Sequence, residues 1–64
     1  MSEELETAQR YRLHAEGLRL IAEGMGDQPN RRILLDVAND YDRMARSLEA
    51  IERRNRPAQS ARLH

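Results

Sequence analysis

No cysteine, phenylalanine, tryptophan or lysine occurs in this sequence, and it holds only three glycines, two prolines and two tyrosines. Without cysteine there is neither a disulfide framework nor a thiolate metal site, and nothing points to an oxidising compartment. The shortage of aromatics bears on stability. At 64 residues one small domain is the ceiling, and a domain near this size buries only about 60% of the surface its unfolded chain exposes. With no disulfides and few large side chains, self-association is the obvious way to offset conformational entropy. No charge of one sign dominates, since 11 basic and 11 acidic residues give a formal net charge of zero. Every basic residue is arginine, which fits a codon bias in the source genome better than a demand for bidentate pairing. Long apolar runs are missing too: none approaches the roughly 18 residues of a membrane span, and the acidic start, Met1 to Glu6, has no apolar core of a signal peptide. A soluble cytoplasmic protein is expected.

What the chain does hold is one apolar spacing used twice. Tyr11, Ala15, Leu18 and Ile21 recur as Tyr41, Ala45, Leu48 and Ile51, at offsets that gather residues on one side of an α-helix. The spacing predicts two amphipathic helices. Helix 1 runs over about residues 3–24, with Ser2 as its cap and Glu3 and Glu4 against the positive end of the dipole. Gly24, Met25 and Gly26 supply the stop, glycine being the residue that tolerates a left-handed terminal conformation. Asp27 caps helix 2, Pro29 sits in its first turn, and the helix covers about residues 28–54 before Pro57 ends it. Residues 56–64 read as a disordered polar tail, and residues 1–55 as the hairpin.

At about 100° per residue, the short connection forces the helices to lie antiparallel. The expected seam sets small residues against large: Leu5 near Ile51, Ala8 near Leu48, Tyr11 near Ala45, Ala15 near Tyr41, Leu18 near Ala38 and Ala22 near Leu34. Such alternation lets layers interdigitate. The seam has two unlike flanks. On one, Arg12 and Arg19 of helix 1 face Asp42 and Glu49 of helix 2. On the other, Ile21, Ile33, Met44 and Ile51 have little charge around them, with His14 at the edge. Burying such a side chain contributes roughly 1.5–3 kcal/mol, more than an exposed ion pair at about 0.2–1 kcal/mol. The fold class expected is therefore all-α, an antiparallel two-helix hairpin that dimerises through the apolar flank into a four-helix bundle.

The remaining residues carry little chemistry. Leu13 and Leu20, with Gly17 beside them, lie on the far side of helix 1; they read first as scattered exposed leucines and second as a face where glycine lets a partner helix approach. His14 lacks ligating neighbours a turn away, and the other histidine is His64, so no metal site is expected. Buried at a dimer contact, it would loosen the dimer on charging near about pH 6. Tyr11 and Tyr41 occupy equivalent seam positions and fill space. Asp40 and Asp42 point to different faces, so they form no acid and base pair. The glycines of the turn lack the lysine and hydroxyl residue of a phosphate loop. No catalytic residue, metal or cofactor is expected. Arg53, Arg54, Arg56 and Arg62 form a basic cluster that hints at nucleic acid, but Glu3, Glu4 and Glu6 fall at the same end of the hairpin and no aromatic is interleaved. The expected function is a homodimeric protein-interaction or regulatory module; a nucleic-acid-associated regulator is the less favoured alternative.

Two segments, Tyr11-Arg12-x-x-Ala15-Glu16-x-Leu18-Arg19-x-Ile21-Ala22-Glu23 and Arg32-x-Leu34-Leu35-x-Val37-Ala38-x-Asp40-Tyr41-Asp42-Arg43-x-Ala45-x-Ser47-Leu48-Glu49, resemble a group of very short bacterial helical-hairpin proteins of unassigned function. The resemblance covers residues 11–49. It implies a bacterial cytoplasmic protein and brings no catalytic residues. Gly17 stands where a longer side chain is expected, which marks the far face of helix 1 as particular to this chain.

Overall fold

The computed structural model describes residues 2–55. Its elements are two α-helices, α1 (Glu3–Glu23) and α2 (Gln28–Asn55), with no strand among the described residues. The expected tail from residue 56 onward, with Arg56, Arg62 and His64, lies outside the described residues.

Local chemistry accounts for both helix starts. Ser2 is extended, and its Oγ accepts a hydrogen bond from the Leu5 backbone N–H at 3.1 Å while its carbonyl accepts from Glu6 at 3.1 Å. This is a side-chain N-cap followed by three carboxylates, Glu3, Glu4 and Glu6, in the positive first turn. At the second helix the Asp27 carbonyl accepts from the Arg31 N–H at 2.9 Å, and its carboxylate accepts from the Asn30 side-chain amide at 2.7 Å.

The turn between them differs from expectation. Gly24 closes α1 at φ −87° and ψ −2°, a right-handed conformation, and no described glycine has a positive φ. The stop is instead a tightened last turn, in which the Gly24 N–H donates to the Ile21 carbonyl and the Met25 N–H to that of Ala22, both at 3.1 Å. Bonds of this three-residue kind satisfy helix-end carbonyls without a left-handed residue.

Antiparallel packing is fixed by the order of cross-helix contacts: Arg12 meets Glu49, and Arg19, farther along α1, meets Asp42, earlier in α2. Along the seam, Ala8, Tyr11, Ala15, Leu18 and Ala22 are spaced alternately by three and four residues, as are Leu34, Ala38, Tyr41, Ala45 and Leu48. That is the heptad rhythm of a coiled coil. Burial along it is uneven, unlike the mixed layers the spacing suggests. Among the described residues the fully enclosed ones are all alanine, namely Ala8, Ala15, Ala22, Ala38 and Ala45, while Leu5, Tyr11, Leu18, Leu34, Tyr41 and Leu48 are half-buried. Methyl side chains let two helix backbones approach toward the short end of the usual 8–10 Å range. Facing methyl groups leave little room between the backbones for a leucine or a tyrosine, and the larger seam residues stay half-exposed at the margins. A buried methyl contributes about 0.8 kcal/mol, too little for a line of alanines to offset the ordering of two helices.

Candidate interaction surface

The two long edges of the hairpin have opposite chemistry. On the charged edge Arg12 makes a bidentate contact with Glu49, its Nε donating to Oε2 at 3.0 Å and its Nη2 to Oε1 at 2.7 Å. Arg19 Nη2 donates to Asp42 Oδ2 at 2.5 Å and to Asn39 Oδ1 at 3.1 Å, and Arg12 Nη1 lies 3.9 Å from Asp42 Oδ1. The ion pairs expected from same-side spacing thus form, with Asn39 as an added acceptor. The hydrogen bond from Arg19 lowers the Asp42 carboxyl below its ordinary value, and that from Arg12 does the same for Glu49, each against a smaller opposing effect of desolvation. A depressed carboxylate contributes stability that is present above its unfolded pKa and lost as pH falls through its folded value. The part of the stability that these two carboxylates supply is therefore expected to be fully present down to about pH 5.5 and to be lost on further acidification. An Arg12→Met, Arg19→Met variant should lose part of that acid dependence in a melting series followed by circular dichroism; an unchanged acid limb would show that these pairs do not couple to folding.

The opposite edge is apolar. Tyr11, Leu18, Leu34, Tyr41 and Leu48 form its half-buried floor, and Ile21, Ile33, Val37, Met44 and Ile51 stand around them in solvent. Ile21 and Ile33 are 58% and 57% exposed, although isoleucine is among the residues most often enclosed. The Tyr11 and Tyr41 rings are tilted at 48° with centroids 5.5 Å apart, and His14 stacks on Tyr41 at 5.2 Å and 15°. These rings fill the space between the helices above the alanine line and leave His14 exposed at the margin. A hollow lined by Thr7, Tyr11, Met44, Ser47 and Leu48 crosses both helices within this face. Ile33 to Ile51 spans about 27 Å at 1.5 Å per residue.

A second apolar feature is confined to α1. Leu13 and Leu20 are 65% and 68% exposed on its outer side, and a shallow depression lined by Arg10, Leu13, His14, Gly17, Leu18 and Ile21 connects that side to the apolar face. A Cβ built on Gly17 would meet nothing within 4 Å. The glycine is thus not required by packing inside the hairpin. Gly17→Ala is expected to raise stability by about 0.5–1 kcal/mol, because alanine loses less backbone freedom in a mid-helix position. Denaturant titration checks it, and a loss of stability would mean that Gly17 serves the fold after all.

Arg53 and Arg54 are exposed in the last turn of α2; Arg56 and Arg62 of the same expected cluster lie outside the described residues. The alanine line itself was hidden in the sequence among the larger members of its stripe; its signal is the seven-residue recurrence of Ala8, Ala15 and Ala22 and of Ala38 and Ala45. Among the described residues no helix is long and apolar enough to cross a membrane.

Fold and surface together define an all-α helical hairpin with an alanine seam, one charged edge and one uncovered apolar edge. No family model, curated protein or solved structure matches the chain.

Proposed function

We propose that this chain is a non-catalytic, homodimeric interaction module in which a second copy covers the apolar edge to complete a four-helix bundle, leaving the outer side of α1 for a protein partner. One observation carries the reading. Ile21, Ile33, Met44 and Ile51 are exposed together on a hairpin whose enclosed residues are all alanine. The face is about 27 Å long and two helices, about 20 Å, wide. A corrugated surface of that footprint offers area of the order that a standard interface takes from each partner, about 800 Å². Covering it supplies the burial the alanine seam lacks.

A cytoplasmic setting in a bacterial cell belongs to the same reading and rests on the resemblance described above. The nucleic-acid alternative would use the arginines at the end of α2; it is the weaker because Glu3, Glu4 and Glu6 begin the antiparallel α1 at that same end. Sedimentation equilibrium at micromolar concentration is the test. A species of twice the 7.5 kDa chain mass is expected, and a well-folded species of single mass would overturn the proposal.

A further inference from the structure

One row of side chains stands along the apolar edge. The residue before each seam alanine lies about 100° round its helix from the alanine line, on the same side for both helices because they are antiparallel. These residues are Thr7, His14 and Ile21 on α1, before Ala8, Ala15 and Ala22, and Val37 and Met44 on α2, before Ala38 and Ala45. Ile21, Val37 and Met44 are exposed members of the apolar edge. His14 holds the same place in the middle of α1, and it is the one member of the row whose side chain gains a charge between about pH 5 and 8. The internal recurrence agrees: the spacing that matches Tyr11 with Tyr41 and Leu18 with Leu48 matches His14 with Met44.

The surroundings of the ring decide how it responds to pH. From α2 it meets Tyr41, on which it stacks at 5.2 Å and 15°. On α1, Arg10 stands one turn earlier and lines the same depression with Leu13, Gly17, Leu18 and Ile21; among the described residues no carboxylate lines it. The charged residues beside Met44, Asp40 and Arg43, pair with each other at 3.6 Å. An imidazolium at His14 thus has a like charge one turn away and no carboxylate in its depression. In the single hairpin water solvates that charge, because the ring is exposed. Under a second copy the ring would lose this water among isoleucine and methionine side chains, where an unpaired charge is costly. Attraction of a cation to the Tyr41 face does not offset that cost, since the stack lies within one chain and is present whether or not a second copy is bound.

We infer that the homodimer is gated by pH through His14: the neutral ring enters the covered face, and the charged ring keeps the copies apart. This rests on the dimer proposed above and adds its regulation. The sign follows from linkage. The dimer excludes the proton, so it is favoured above the imidazole range, ordinarily near about pH 6.5, and loses ground as pH falls through it. Each copy brings one His14. Full exclusion of both charged rings weakens association about 100-fold one pH unit below that value, and partial exclusion about 10-fold. The Asp42 and Glu49 carboxylates, held below their ordinary values by Arg19 and Arg12, stay ionised in this window, so the bridges of the hairpin remain.

Sedimentation equilibrium of the full chain at about pH 7.5 and about pH 5.5 tests the gate. The dissociation constant is expected to rise about 10- to 100-fold at the lower pH. A His14→Met chain, which takes the side chain of its counterpart Met44 and leaves His64 in place, is expected to dimerise equally at both. A parent dimer with one dissociation constant at the two pH values overturns this inference and leaves the dimer standing. So does a His14→Met chain that keeps the pH dependence of the parent, or one that no longer dimerises, because the ring would then be needed by the contact. A parent chain that sediments as a monomer at about pH 7.5 overturns the dimer as well.

Discussion

Ala15→Leu is expected to unfold much of the hairpin at temperatures where the parent chain is fully helical. Ala15 is fully enclosed at the centre of α1, between Ala8 and Ala22 of the same line and opposite the line of Ala38 and Ala45 on α2. Three further carbons at that point have no gap to enter, so the backbones must separate or the leucine must leave its rotamer. Overpacking of this kind costs about 1–3 kcal/mol in ordinary cores. The upper part of that range applies here, since separation at Ala15 also strains the neighbouring alanine contacts and the Arg12 and Arg19 bridges on either side. For a chain of this size it corresponds to a fall in melting temperature of about 10–20 °C. Circular dichroism at fixed protein concentration measures it, with Leu13→Ala as the comparison, because Leu13 points to solvent and its truncation should be nearly silent. Equal melting of parent and Ala15→Leu chains would mean that the alanine line does not set the distance between the helices.

The second large effect is on association. Ile21→Glu with Met44→Glu places carboxylates on both helices of the apolar edge, at positions that are 58% and 42% exposed in the single hairpin. In a symmetric dimer each substitution occurs twice, so the lost burial is about 3 kcal/mol or more, and the dissociation constant should rise at least about 100-fold. Because folding is coupled to association in a dimer of thin subunits, helicity at low micromolar concentration should fall as well. Gln9→Glu, an exposed site away from this edge, is the control and should leave the dissociation constant within error. Unchanged association of the double variant would show that copies meet through some other surface.

The elements were legible from the chain because their causes are local. Ser2 and the carboxylates after it announce the start of α1, and the apolar recurrence from Tyr11 to Ile21 announces its face. Same-side spacing was enough to pair Arg12 with Glu49 and Arg19 with Asp42, because an antiparallel hairpin with a short turn allows only a narrow range of registers. The form of the turn was not legible. Glycines at Gly24 and Gly26 permit a left-handed stop, yet α1 ends in tightened right-handed bonds, since the freedom of a glycine does not say which of its conformations the neighbouring carbonyls will select. The depth of burial was also hidden. Periodicity ranks a position by its angle and its hydrophobicity, so Tyr11, Leu18 and Ala15 look like equal members of one stripe.

By itself, then, the amino-acid order determined that there are two helices, that they run antiparallel, and which edge carries charge and which does not, because each of these follows from spacing and turn length alone. Only the tertiary structure decided that alanines occupy the centre and that tyrosines, leucines and isoleucines stand at the margin. The physical reason is that the separation of two helices is a property of the pair: the smallest side chains that can face each other set it, and every larger one must then find its place outside.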